Sequence, residues 1–265
     1  NAINYAFENL NGSKMYTTLE PCNHYGKTPP CTKLIIKKKI KEVIYSIDDI
    51  DKRVKGKSYK ILSLKKILVK KGLMKKNINN FYNSYKINRK KMMPFVTGKI
   101  AISKNNVIYS DAQSKITDMY SDNLTHFIRY KNDSIMISYK TLNKDNPKLN
   151  CRLKNMKKFS PKRIILDNKL KTNTRSYLFK TANKNNTIFF YNEADKSKIL
   201  NFKKKKIKII KSKINSHKRF DISIILKKLY FLGCRNILVE GGNELTKNFL
   251  SKKIFNQFYL FKSPR

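Results

Sequence analysis

Apolar residues come in short runs whose spacing changes along the chain. Ala2, Ile3, Ala6, Phe7 and Leu10 fall near a helical period, so the opening residues predict a helix that Asn11-Gly12 stops. Residues 31–41, CTKLIIKKKIK, predict a short amphipathic helix, and EVIYSIDD after it predicts a strand ending in acidic residues. Residues 59–75 predict a second, lysine-rich helix with Gly72 as its stop. Residues 95–102, FVTGKIAI, alternate in the manner of a strand lying centrally in a sheet. Residues 120–138 read as helix into strand, with His126 and Arg129 one turn apart on the helix. PKRIILD (161–167) and NTIFFYN (186–192) predict further buried strands. From Asp221 a helix runs to Gly233, a strand covers 236–240, and Gly241-Gly242 opens another helix ahead of a last strand in FNQFYLFKSPR. Strands alternating with helices predict a mainly parallel α/β sheet. The lysine-rich NRKKMMP (88–94) marks a domain boundary, which gives domains of 1–90 and 91–265.

Length and composition fit two ordinary globular cores: 265 residues, 40% of them hydrophobic. The formal charge of +43 raises a nucleic-acid partner as a reading. Yet only nine of the 60 basic residues are Arg, the fork that base and phosphate recognition favours. Lysine is spread along the chain with abundant Asn, Ile and Tyr and no Trp, which reads as a coding bias rather than selection for a partner. KKKKIKIIKSK (203–213) is then a lysine-decorated strand or loop. No stretch approaches the length of a membrane-crossing helix, and four cysteines fit a reducing compartment, so the expected location is the cytoplasm.

The strongest chemical signal is TLEPCNHYGKTPPC, residues 18–31, where Cys22 and Cys31 each follow a proline. Thiolates are soft, charged zinc donors, and a rigid preceding proline helps fix their direction. Zinc nucleobase deaminases take two ligands from such cysteines, and a third ligand plus a proton-shuttling carboxylate from an upstream His-x-Glu. Their spacing is normally P-C-x-x-C, so NHYGKTPP is an insertion. The bland alternatives are chance or a structural zinc knuckle.

This run resembles the zinc motif of the RibD family, the bifunctional deaminase/reductases of riboflavin biosynthesis, T-L-E-P-C-x-H-x-G-x-T-P-P-C, at every fixed position. The second part of the chain is similar to the same family's reductase domain: K-x-A-x-S at Lys99, Ala101 and Ser103; I-T at Ile116 and Thr117; H-x-x-R at His126 and Arg129; T-x-x-x-D-x-P-x-L-x-x-R at Thr141, Asp145, Pro147, Leu149 and Arg152; and V-E-G-G at 239–242. The resemblance implies a partial cytidine-deaminase-like zinc domain followed by a dihydrofolate-reductase-like α/β reductase domain. It implies zinc on Cys22 and Cys31, with the His-Ala-Glu segment lying before Asn1, so the chain is expected to be a fragment truncated at both ends. Glu20 sits beside the cysteines but matches a position that is not the shuttle, and His24 falls in the loop that touches substrate.

For the reductase, the resemblance implies that Ser114, Arg129, Leu149, Arg152 and Glu240 line the substrate. Ala101, Lys115, Thr141, Asp145, Asn168, Gly241 and Gly242 would face NADPH, and His126 would be structural. Retention of Arg129 and Arg152 in a lysine-saturated chain suggests a fork on a ribose phosphate. The implied reactions are zinc-dependent deamination of 2,5-diamino-6-ribosylamino-pyrimidinone 5′-phosphate and NADPH-dependent reduction of 5-amino-6-(5-phosphoribosylamino)uracil. The partner is a small molecule, with no specific nucleic acid and no membrane, and there is room for a homo-oligomer through the reductase domain. Departures are Asn105-Asn106 for the family's Asp-Gly, Lys115 for a Trp and Ser138 for a Gly. The alternatives are a zinc nucleic-acid deaminase with an unrelated C-terminal domain, and a decayed zinc-binding remnant.

Overall fold

The structure is a computed structural model that describes residues 2–26, 28–105 and 118–263. The chain forms two compact units, 1–91 and 92–265.

In the smaller unit, β1 (Lys14–Leu19), α1 (Cys31–Lys37), β2 (Glu42–Ile47), α2 (Lys57–Leu64) and β3 (Leu68–Lys71) are followed by α3 (Lys75–Phe81) and α4 (Asn83–Lys91). The three strands pair in parallel in the order β1-β2-β3. Every residue of β2 is buried, as a strand flanked on both edges and covered on both faces requires. Its Val43 joins Ile3, Ile35, Ile40, Leu62 and Ile67 in one core.

Two helix expectations fail here. The opening helix is a single 3-10 turn, Ala2–Tyr5, because only Ile3 reaches the core and Phe7 is fully exposed. The helix expected over 59–75 ends with α2 at Leu64. Lys66 then turns at φ 59°, and Leu68–Lys71 pairs with β2 as β3. Gly72, at φ 103°, therefore ends a strand rather than a helix. β1 carries the period-2 burial of a half-buried strand, a signal too short and polar to stand out beside its lysine.

The larger unit runs β4 (Phe95–Ile102), α5 (Met119–Lys131), β5 (Ser134–Ser138), α6 (Tyr139–Asp145), β6 (Lys162–Leu166), α7 (Tyr177–Lys180), β7 (Thr187–Tyr191), α8 (Lys196–Lys204), β8 (Lys208–Lys211), α9 (Ile222–Phe231), β9 (Asn236–Val239), α10 (Asn243–Ser251) and β10 (Gln257–Lys262). Its seven strands are all parallel, ordered β10-β4-β9-β5-β6-β7-β8. Neighbouring residues go to opposite faces: Met136 and Ile164 pack with α9 and α10, while Ile137 and Ile165 pack with Leu142, Leu178, Phe179 and Phe202 of α6, α7 and α8. The lysine-decorated segment resolves as strand β8, because Ile209 and Ile210 pair with β7. Among the described residues, no helix is long and apolar enough to cross a membrane.

Candidate active sites

In the smaller unit, Cys22 lies in the loop after β1 and Cys31 is the first residue of α1. Their sulfurs stand 3.3 Å apart, and the Cys31 N–H points to Cys22 Sγ at 3.3 Å. A disulfide needs about 2.05 Å, so both thiols are free. Two zinc-bound thiolates sit about 3.8 Å apart, from Zn–S bonds of about 2.3 Å in a tetrahedron, so a small opening of the pair fits the metal. Burial and the neighbouring Cys22 push the Cys31 thiol up. Beside the pair, Asn23 Oδ1 and His24 Nδ1 are buried without a hydrogen-bond partner among the described residues, which is the state of a loop built around something else.

The zinc set is partial: among the described residues no group of three His, Cys, Asp or Glu could hold a metal ion. Glu20 does not complete it. One carboxylate oxygen accepts from the N–H groups of Asp49 and Gly56, at 3.2 and 3.0 Å, and the other from Ser58 at 3.2 Å. Glu20 is a clasp for residues 49–58, in agreement with its reading as no proton shuttle.

In the larger unit, the carboxyl ends of β4, β5 and β9 meet where β9 lies between β4 and β5, the switch point at which open α/β sheets form a crevice. A cleft of about 650 Å³ lies there, lined by Lys99, Ala101, Thr141, Asp145, Glu240 and the Gly241-Gly242 pair among others. Gly241 is sterically required and Gly242 is tightly fitted. A Cβ on Gly241 would come within 2.9 Å of Leu245 Cβ, and one on Gly242 within 3.2 Å of Thr141 Oγ1. The Gly242 N–H donates to Thr141 Oγ1 at 3.3 Å, tying the start of α10 to α6. No side chain caps α10, so its first amides have no side-chain acceptor among the described residues.

Arg129 does not present a free fork. Its Nε and Nη2 donate to the two oxygens of Glu240 at 2.8 and 2.7 Å, and Nη1 to the Asn150 carbonyl at 3.3 Å. The side chains of this pair are only 11% and 14% exposed. Burial pushes the Glu240 carboxyl up, but Arg129, with help from Lys99, outweighs it and keeps the group ionised. Of the two arginines expected to form a phosphate fork, Arg129 is thus paired with Glu240, and Arg152 is the exposed one, bonded through Nη1 to Asn150 Oδ1 at 3.2 Å.

Leu149 also departs from its reading. Its side chain is 3% exposed in the core, so only its backbone, at φ 52°, can face a substrate. His126 is buried, accepts from the Arg152 N–H at 3.4 Å through Nδ1 and is structural. Asn168 lines an adjoining cleft of about 410 Å³. Ser114 and Lys115 lie outside the described residues, as do Asn106, Ile116 and Thr117. Sequence reasoning left Lys99 unassigned although it sits two residues before Ala101, hence on the same face of β4. Burial pushes its ammonium pKa down, against the pull of Glu240.

A close cysteine pair in one α/β unit and a glycine-lined crevice in another are the marks of a two-part enzyme, a metal-dependent deaminase joined to a dinucleotide-using reductase. Comparison with known proteins agrees. Residues 94–265 match the family model described as the RibD C-terminal domain, and residues 1–47 match the cytidine and deoxycytidylate deaminase zinc-binding region. The chain belongs to the RibD family. It is 32% identical over 270 residues to riboflavin biosynthesis protein RibD of Actinobacillus pleuropneumoniae, covering all of this chain and 70% of that protein. Over 85 residues it is 48% identical to diaminohydroxyphosphoribosylamino-pyrimidine deaminase of Buchnera aphidicola, covering 32% of this chain and 58% of that protein. The crystal structure of the diaminohydroxyphosphoribosylaminopyrimidine deaminase/5-amino-6-(5-phosphoribosylamino)uracil reductase of Thermotoga maritima superposes with a TM-score of 0.81 at 28% identity, over 97% of this chain and 69% of that one.

Proposed function

We propose that the chain acts in riboflavin biosynthesis on the family's two substrates, and that reduction of 5-amino-6-(5-phosphoribosylamino)uracil to its ribityl form is the activity its described residues carry. The supporting observation is the cleft at the strand ends, where Gly241-Gly242, Lys99 and the Arg129–Glu240 pair converge. In the reduction the sugar C1′–O4′ bond breaks with its electrons going to O4′, C1′ gains a hydride and O4′ gains a proton. NADPH supplies the hydride when bound. Ala101, Thr141, Asp145 and the glycine pair would position that cofactor, with Asn168 at its far end; Lys115 completes the expected cofactor set and Ser114 the expected substrate set. Glu240, oriented by Arg129, would hold the sugar hydroxyls, Arg152 the phosphate, and the Leu149 backbone would border the sugar.

Lys99 would give up the proton to O4′. Because burial lowers its pKa, it is a stronger acid than an ordinary lysine. A general acid works only while protonated, so kcat/KM should fall as pH rises through a value below the usual lysine pKa of about 10.4. Lys99→Arg should move that fall to higher pH. Incubating the chain with the uracil substrate and NADPH should consume NADPH and yield the ribityl product by mass spectrometry; no turnover would overturn the reading.

Cys22 and Cys31 would provide two zinc ligands for the deamination, whose third ligand and proton shuttle are not among the described residues. In a chain that also carries the family's upstream His-Ala-Glu segment, metal analysis should find zinc, and its loss in Cys22→Ala and Cys31→Ala; zinc retained in both variants would sink the assignment. We further read the protein as cytoplasmic, without a specific nucleic-acid partner, and as a homo-oligomer through its reductase unit.

A further inference from the structure

Next to the dinucleotide cleft lies the 410 Å³ cleft, which shares Ser138, Lys140, Glu244 and Leu245 with it. Its lining is apolar at Leu166, Phe220 and Ile222 and carries three consecutive basic residues, His217, Lys218 and Arg219. A dinucleotide with its pyrophosphate over Gly241-Gly242 and its nicotinamide toward Lys99 and Ala101 would have this second cleft open to its adenosine half, across the shared residues.

We propose that the His217-Lys218-Arg219 turn holds the phosphate on the adenosine ribose and thereby sets the preference for NADPH over NADH. This rests on the reading of the larger cleft as the dinucleotide site.

The turn is built rather than loose. Ile214 and Phe220 form an antiparallel bridge, and the Asn215 N–H donates to the Arg219 carbonyl at 2.7 Å. Asn215 Oδ1 accepts from the Arg219 N–H at 3.0 Å, and Lys218 takes φ 56° at the tip. Phe220 is buried in the core and Asp221 caps α9, so the far side of the turn is anchored. The three basic side chains are exposed and have no side-chain hydrogen bond or ion pair with any described residue. The carboxylate in the cleft wall, Glu244, is already engaged by Lys140 Nζ at 3.0 Å to each oxygen. The Lys218 ammonium and Arg219 guanidinium, without a counter-charge among the described residues in a nucleoside-sized cleft, call for an anion there. NADPH differs from NADH by one such anion, and a guanidinium fork suits a phosphate.

The test is titration calorimetry on the whole chain with NADPH, NADH, 2′,5′-ADP and 5′-AMP, for the wild type and for Lys218→Ala/Arg219→Ala. The double variant should bind NADPH and 2′,5′-ADP about tenfold to a hundredfold more weakly, tenfold per 1.4 kcal/mol. Its affinity for NADH and 5′-AMP should stay within about threefold, since neither carries the lost charge partner. Arg219→Lys, which keeps the charge, should lie between. An unchanged NADPH affinity, or an equal loss for NADH that would make the turn only a support, overturns the proposal while leaving the dinucleotide reading intact. A wild-type chain that binds neither dinucleotide overturns that reading first, and the proposal with it.

Discussion

Glu20 in the smaller unit and Glu240 in the larger occupy matching places. Each directly follows the last residue of a parallel strand and donates its own N–H to a neighbouring strand, Glu20 to Ile47 and Glu240 to Met136. Their carboxylates are held differently. Glu20 is 3% exposed and accepts only neutral backbone amides from residues 49–58, whereas Glu240 is held by the two-pronged guanidinium of Arg129 at the lip of a cleft. Backbone donors fix a carboxylate and the loop that supplies them, so Glu20 is spent on architecture. A side-chain partner leaves the surrounding backbone open, and Glu240 keeps a charged face toward whatever enters. Sequence position relative to the strand is the same; the partner decides the role.

The largest effect should come from breaking the charged version. Arg129→Ala leaves Glu240 without its counter-ion, and losing one partner of a buried pair costs about 3–5 kcal/mol. Urea unfolding should show this loss in the larger unit; a cost below about 1 kcal/mol would mean that water screens the pair as it does on the surface. Glu20→Ala should cost less, about 2–3 kcal/mol, by stranding three amides. Hydrogen exchange at Asp49, Gly56 and Ser58 should quicken while NADPH consumption stays the same. Lost reductase turnover in that variant would contradict a purely local clasp. The smallest effect is expected from Gly241→Ala, which adds a methyl against Leu245 beside Glu240. Overpacking of about 1–3 kcal/mol should show in urea unfolding and, by tilting the start of α10, weaken NADPH binding about tenfold, and an unaltered dissociation constant would show that the helix start plays no part in binding.

Much of this was legible in the sequence because the signals are local. The alternation of 95–102 yields β4, the proline-flanked Cys22 and Cys31 come together, and the glycine pair after β9 opens α10 at the cleft. What was not legible depends on distant partners. The bond between Arg129 and Glu240 joins residues 111 positions apart, and nothing near either one announces it. β3 was hidden because Leu68–Lys71 becomes a strand only by pairing with β2, while its lysines match a helix surface equally well. Leu149 looked like a lining residue because motif position says which residue is constrained but not which way its side chain points. The basic turn at 217–219 was invisible against the lysine background and stands out only where a cleft gives it a direction.

The order of the large sheet has a consequence for how the protein is made. β4 is its first strand to be synthesised, yet both of its neighbours, β9 and β10, come near the end of the unit. The N–H of Val96 waits for Asn256 Oδ1, 160 residues later. On the ribosome, β4 is thus a nascent strand with two open edges for most of the unit's translation, since domains mature as their chain emerges. Such an edge invites pairing with other chains, and charge is the usual safeguard. The lysines that crowd this protein would then act most usefully before it has folded, as electrostatic insulation for a strand whose neighbours have yet to emerge.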